Sequence, residues 1–326
     1  MTSRPPRWVG ATGLVIGLGL ASAPALFQMY DRAPAGGDMM VEFEPYMTQQ
    51  KVDTFNGYMD TIGAAVAEIG TLRQEMVADG TLTAEQFDTQ YSIAMQLANQ
   101  WSAIDEDMGD LLARMDRNLD NYDAVNSLPS FDLFPFFFVI PGGLMAMAGF
   151  WLLLPKRGGK GAATWALLLL GIGMVLAPVA FQMFTRAPKG AEMIDDFRPM
   201  MTVDRVRNVQ GYFVTLGAGE SQLRASVMPA FEAAGGDAAD YPAIGQYSAV
   251  WPTMLTDFNP MIATMRDNID NFEAVDAMPS FDLFPWFFLV PGLIVAGAAG
   301  WALRTGRREA EPDPTPDPTT PGGTPS

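Results

Sequence analysis

Apolar and polar positions follow two regimes along this chain. Four stretches, Trp8–Met29, Leu133–Leu154, Trp165–Phe184 and Leu283–Leu303, carry no charged side chain. Each has about 20 residues, enough for an α-helix to cross roughly 30 Å of hydrocarbon. In between, the pattern becomes amphipathic. Val52, Phe55, Met59, Ile62, Val66, Ile69, Leu72 and Met76 recur at steps of three and four, one apolar stripe on a helix. Gly80 marks a turn, and Thr83-x-x-Gln86 is a capping box opening a second helix. Its stripe runs Phe87, Ile93, Leu97, Trp101, Ile104, Met108, Leu111, Met115 and Leu119. Val206, Val209, Phe213 and Leu216, then Trp251, Leu255, Phe258, Ile262, Met265 and Ile269, set out the same plan again.

The pattern recurs because the sequence does. Pro-Ser-Phe-Asp-Leu-Phe-Pro stands at Pro129–Pro135 and at Pro279–Pro285. At an offset of 154, Phe27-Gln28-Met29 matches Phe181-Gln182-Met183, Arg32-Ala33-Pro34 matches Arg186-Ala187-Pro188, and Met47-Thr48 matches Met201-Thr202. Further on the offset is 150, with Trp101/Trp251, Met115/Met265, Asn118/Asn268 and Asp120-Asn121/Asp270-Asn271. A period of about 150 residues is too long for a solenoid, so the reading is duplication of a whole domain. The expected fold is an all-α integral membrane protein: an internal duplication of a span–helical ectodomain–span unit, giving four transmembrane helices and a four-helix-bundle-like extracytoplasmic part. A hairpin with one apolar face needs a partner, and the second hairpin supplies it. Because each unit inserts the same way up, an approximate two-fold axis along the membrane normal should relate them.

Charge orients this arrangement. Arg4 and Arg7 precede the first span, Lys156, Arg157 and Lys160 lie between the second and third, and Arg304, Arg307 and Arg308 follow the fourth. Cationic flanks belong on the cytoplasmic side. The resulting order is a cytoplasmic N-terminus at 1–7, a span at 8–29, an outer domain at 30–132 and a span at 133–154. A cytoplasmic loop at 155–164, a span at 165–184, an outer domain at 185–282, a span at 283–303 and a cytoplasmic tail at 304–326 complete it. Trp8, Trp151, Trp165 and Trp301 mark the same end of all four spans, as an interfacial belt does. The Pro/Thr/Gly-rich tail is expected to be disordered. Ala21-Ser22-Ala23 resembles a signal-peptidase site, but Pro24 would then begin the mature chain, so an uncleaved anchor is expected.

The chain has 37 acidic and 20 basic residues, no cysteine and no histidine. Disulfides and thiolate chemistry are thereby excluded, and with them the commonest general base. Segment 30–132 holds 19 acidic against 5 basic residues and segment 184–282 holds 14 against 7. Such a field steers basic partners and repels anionic lipid headgroups, and no basic surface for nucleic acid is present.

No catalytic, cofactor or metal residues are assigned from the sequence. Two sets of residues are singled out as candidate interfaces. Arg32 with Asp132, and Arg186 with Asp282, flank the span ends at the outer surface as latches for a headgroup or partner. The same residues also suit helix capping by Ser130 and Ser280 with dipole-matched charges. Asp105, Glu106, Asp107 and Asp110 form a candidate acidic docking face; the run lies mid-helix and lacks the glycine and spacing of an EF-hand. Methionine thioethers bind Cu(I), yet here they fall on apolar stripes, which favours core packing or an adaptable apolar groove. Gly13-x-x-x-Gly17 and Gly292-x-x-x-Ala296-x-x-x-Gly300 are ridges for close helix packing. The functional expectation is a non-enzymatic envelope protein that contacts the lipid bilayer and docks a protein partner. A ligand-sensing ectodomain without its own signalling domain, or a small transporter or lipid-handling protein, is the alternative.

Overall fold

The computed structural model describes residues 6–155 and 158–308, which form helices and short turns with no strand among them. In chain order the helices are α1 (Arg7–Leu26), α2 (Met29–Phe43), α3 (Gln49–Ala78), α4 (Ala84–Gln90), α5 (Ser92–Arg117), α6 (Leu119–Asn126) and α7 (Phe134–Leu153). They continue as α8 (Lys160–Ala180), α9 (Met183–Phe197), α10 (Val203–Gln222), α11 (Met228–Ala233), α12 (Pro242–Asp267), α13 (Ile269–Asp276) and α14 (Phe284–Arg308). Of the cationic flanks and tail read from the sequence, Arg4, Lys156, Arg157 and residues 309–326 lie outside the described residues.

The chain divides into two compact units. One contains α1, α7, α8 and α14, the four described helices long and apolar enough to cross a membrane, with mean hydropathy of 1.7 to 2.1. Helix α1 packs along α7 and α8 along α14; contacts of α7 with α8 and of α1 with α14 close the ring. Small residues make the paired contacts close. A Cβ on Gly17 would fall inside the backbone of Gly142 and Ala146, and one on Gly171 would lie 2.6 Å from the Ala296 amide nitrogen. Backbones at this distance gain dispersion contacts that larger side chains would forbid. Trp8, Trp151, Trp165 and Trp301 are all exposed, and the rings of Trp8 and Trp301 stand 5.4 Å apart.

Two joints in this unit share a backbone conformation. After α1, Gln28 has φ 55°, and after α8, Gln182 has φ 53°; they are the non-glycine residues of positive φ among those described. Each turns the chain in the left-handed region that ends a helix, normally glycine's place. Helices α2 and α9 follow at once and were not foreseen in the sequence. Their Arg-Ala-Pro segments, with Pro34 and Pro188 inside the helices, resemble breakers more than helix formers.

The second unit spans 34–128 and 188–278. Helices α3, α5, α10 and α12 form its bundle, each touching two others in the ring α3–α5–α10–α12. Thr48 and Thr202 cap α3 and α10 by accepting from the Lys51 and Arg205 amides at 3.3 and 3.2 Å. The capping box of α4 is formed, with Gln86 Oε1 accepting from the Thr83 amide at 2.8 Å. Two stripe positions differ from expectation. Ala65 is buried where Val66 is half-buried, and Ala94 is buried where Ile93 is 41 % exposed. In both cases the smaller of two adjacent apolar residues takes the inward position. The drop in offset from 154 to 150 falls where α4 has no counterpart of its own length: a 3₁₀ turn at Ala238–Asp240 stands there instead.

Candidate functional site

The acidic run of α5 divides by the helical twist. Asp105 and Glu106 are exposed, whereas Asp107 and Asp110 are half-buried. Asp110 accepts from Arg114 one turn on at 3.0 Å. Asp107 faces α10, where it accepts from Arg205 and from the Tyr212 hydroxyl, while its carbonyl accepts from Arg205 Nη2 at 2.9 Å. The same constellation occurs at matched positions. Asp257 on α12 accepts from Lys51 Nζ and from the Tyr58 hydroxyl on α3, both at 2.8 Å. Each half of the chain thus supplies one carboxylate and one cation–phenol pair to the other. Asp257 stands 150 residues after Asp107, the offset of the later matched positions, but only the helix ring shows what the two grasp.

Electrostatics follow from these contacts. Burial, then the hydrogen bond to Asp257, pushes the Tyr58 phenol up to about 12. Burial opposes ionisation of Asp257, but the hydrogen bonds from Lys51 and Tyr58 outweigh it and hold the carboxyl below its usual range. Tyr212 is raised by its hydrogen bond to Asp107 and by burial.

A second reciprocal pair lies where α5 and α12 end. Asn118 Nδ2 donates to Asp196 on α9 at 2.6 Å, and Asn268 Nδ2 donates to Glu42 on α2 at 2.6 Å. Asp196 also receives Arg114 and Arg117 at 2.9 and 2.8 Å. The Arg117 hydrogen bond leads the causes that depress its pKa. At the opposite ends, Glu68 of α3 accepts from the Ala243 and Ile244 amides at the start of α12, and Gln222 of α10 accepts from the Ala94 amide at the start of α5. These helix starts are capped from the other half of the chain, a link across more than 100 residues that no local spacing reveals.

The latch residues are arranged as follows. Ser130 and Ser280 occupy the N-cap positions of 3₁₀ turns at Phe131–Leu133 and Phe281–Leu283, but neither side chain caps an amide. Their hydroxyls donate instead to Asp132 and Asp282 at 3.2 and 3.5 Å. The capping expected of the serines is thus replaced by a serine–aspartate bond, because the tight 3₁₀ turn brings the carboxylate within reach. Arg32 Nη1 donates to the Phe27 carbonyl at 3.4 Å, closing back over the end of α1.

Beyond these contacts, the bundle holds an apolar cavity of about 60 Å³ at the end where α5 and α12 finish. It presents no polar surface, and eight methionines line it: Met39, Met40, Met47, Met115, Met193, Met201, Met261 and Met265. Phe43, Phe197, Tyr122 and Phe272 fill much of the remaining wall. Tyr122 donates its hydroxyl to the Met40 carbonyl at 2.6 Å, and burial, with the nearby charges of Glu44 and Asp123, pushes its phenol up to about 12. The sequence placed several of these methionines on apolar stripes; that they converge on one void depends on α2 and α9, the helices it did not show. Among the described residues, no group of three or more histidine, cysteine, aspartate or glutamate side chains is placed to hold a metal ion. The chain matches no known protein family, no curated protein and no solved structure.

Proposed function

We propose that this is a non-enzymatic, membrane-anchored protein of the cell envelope that presents an acidic helical bundle outside the cytoplasm to a basic protein partner. In this reading the chain is a duplicated span–domain–span unit with both termini in the cytoplasm. The observation that carries it is the distribution of charge. Residues 34–128 and 188–278 hold 30 acidic and 10 basic side chains, so the bundle is more negative than the whole chain at −17. The apolar stripes of the bundle are consumed by its own ring of helices, and Asp107 and Asp257 by internal contacts. What remains outward includes Asp105 and Glu106, side by side and exposed. A surface of this sign draws basic partners, with a pull that weakens as salt rises. The span-length helices and their cationic flanks support the anchoring and its direction.

The test is chemical cross-linking in intact membranes of the parent and of Asp105→Lys/Glu106→Lys, two exposed positions whose reversal spares the internal contacts. Loss of a salt-sensitive cross-linked partner, with unchanged membrane yield, is the expected result. If the cross-link persists, while exchange of the four apolar helices for unrelated ones abolishes the cellular phenotype, the function resides in the spans and docking is wrong. Orientation is read separately in this cysteine-free chain. Glu106→Cys should react with an impermeant thiol reagent in whole cells and Gly158→Cys should not.

A further inference from the structure

The methionine-lined cavity carries an inference independent of the docking proposal: we infer that it is a binding site for a soft monovalent cation, Cu(I), held by thioether sulfur. Methionine makes up eight of its fifteen lining residues. Elsewhere in the same bundle core, matched positions exchange methionine freely for other apolar residues: Met59 matches Phe213, Met108 matches Phe258, and Met254 matches Ile104. Methionine stands at both members of four matched pairs, Met29/Met183, Met39/Met193, Met47/Met201 and Met115/Met265. The last three pairs all line this one cavity. Two other wall pairs exchange, Met40 for Ile194 and Met261 for Leu111, while these three keep sulfur on both sides of the void.

The chemistry of the wall selects the ligand. Thioethers are neutral, soft donors that favour Cu(I) and offer little to Mg²⁺, Ca²⁺ or Zn²⁺. Three rotatable bonds let each methionine move its sulfur inward without a backbone shift. The six paired methionines are buried, each keeping 4 % to 8 % of its surface, and all border the same void. Carboxylates also stand one residue from the wall. Glu42 and Asp196 sit at matched positions, each one residue before the cavity-lining Phe43 and Phe197. Asp196 is neutralised by two arginines, but the positions matching Arg114 and Arg117 are Thr264 and Asp267. Glu42 therefore meets the neutral amide of Asn268 and no cation among the described residues; it is exposed and stands outside the lining, next in sequence to Phe43.

The experiment uses the full chain in detergent under a reductant, competing for Cu(I) against a coloured Cu(I) chelator, with Ag(I) as a redox-inert second probe. The parent should strip Cu(I) from the chelator, and X-ray absorption of the loaded protein should show sulfur neighbours. Replacing Met39, Met47, Met115, Met193, Met201 and Met265 by leucine, a swap that conserves volume, should abolish uptake while thermal unfolding stays near parental. A control with Met59, Met108 and Met254 changed to leucine should bind like the parent. Should the sixfold variant fail to fold, the paired variant Met115→Leu/Met265→Leu, which keeps six thioethers on the wall, should bind more weakly than the parent. No uptake by the parent, full uptake by a folded cavity variant, or equal loss in the control would each overturn the site.

Discussion

The reciprocal carboxylates make a quantitative prediction about how the two halves of the chain hold together. Asp257 accepts from Lys51 and Tyr58, and the Lys51 and Asp257 side chains are 26 % and 24 % exposed. Hydrogen bonds to a charged group contribute about 1.5–3 kcal/mol when well buried, and solvent at a partly exposed pair reduces this to about 1 kcal/mol each. Tyr58→Phe should therefore cost about 1 kcal/mol and Asp257→Asn, which weakens both contacts, about 2 kcal/mol. For a domain of this size that corresponds to a fall in Tm of about 2–4 and 4–8 °C. The double variant should resemble Asp257→Asn alone, because the phenol no longer has a carboxylate to hold; the coupling is about 1 kcal/mol. Asp107→Asn with Tyr212→Phe should repeat the pattern from the other side. The measurement is a double-mutant cycle by thermal unfolding of the full chain in detergent. Strictly additive shifts, or no shift for Asp257→Asn, would refute the idea that this carboxylate fastens α12 to α3.

The same contacts set a pH dependence. Asp257 and Asp196 are depressed in the fold, so their stabilisation is complete above the unfolded carboxyl pKa near 3.9 and is lost as pH falls through the lower folded values. The Tm gap between the parent and Asp257→Asn should persist at neutral pH and close in acid; a gap that widens there would contradict this. Tyr58 and Tyr122 are raised to about 12, so their contribution is whole below about pH 10 and fades as pH climbs towards 12. Gly17→Leu or Gly171→Leu should cost about 1–3 kcal/mol by forcing paired helices apart, while Gly143→Leu, where a Cβ has open space, should leave the Tm unchanged. Gln28→Gly and Gln182→Gly should keep or raise the Tm, and Gln28→Val should lower it by about 1 kcal/mol or more, because a branched side chain resists positive φ.

Local chemistry was legible in the sequence wherever a few neighbouring residues decide the outcome. Thr83 and Gln86 make their capping box by proximity alone, Gly80 takes φ 73° at the turn, and the uncharged stretches become span-length helices. The small-residue ridges could be read as packing faces, since a missing Cβ matters to any close neighbour. What could not be read was joined across the chain. Glu68 satisfies amides 175 and 176 residues away, and nothing in its own surroundings distinguishes it from a solvated glutamate. The acidic run on α5 looked uniform because charge, taken along a sequence, has no direction. The helical twist sends Asp107 to Arg205 and leaves Glu106 in water. Helices α2 and α9 were obscured by proline and glycine, and with them the wall that gathers the methionines.

The long reach of the reciprocal contacts also sets a timetable. Lys51 and Asp257 are 206 residues apart, and Phe55 of α3 stacks on Phe258 of α12 at 4.2 Å. At synthesis rates of roughly 5–20 residues per second, the partner of α3 leaves the ribosome roughly 10–40 s after α3 itself. Until then α3 and α5 can cover each other through contacts made early, but Phe55 has no ring to stack on and Lys51 no carboxylate to meet. A nascent chain stalled anywhere before α12 would display that unfinished apolar face to any passing neighbour. Quality control acting on this protein has a window of tens of seconds in which to bind it.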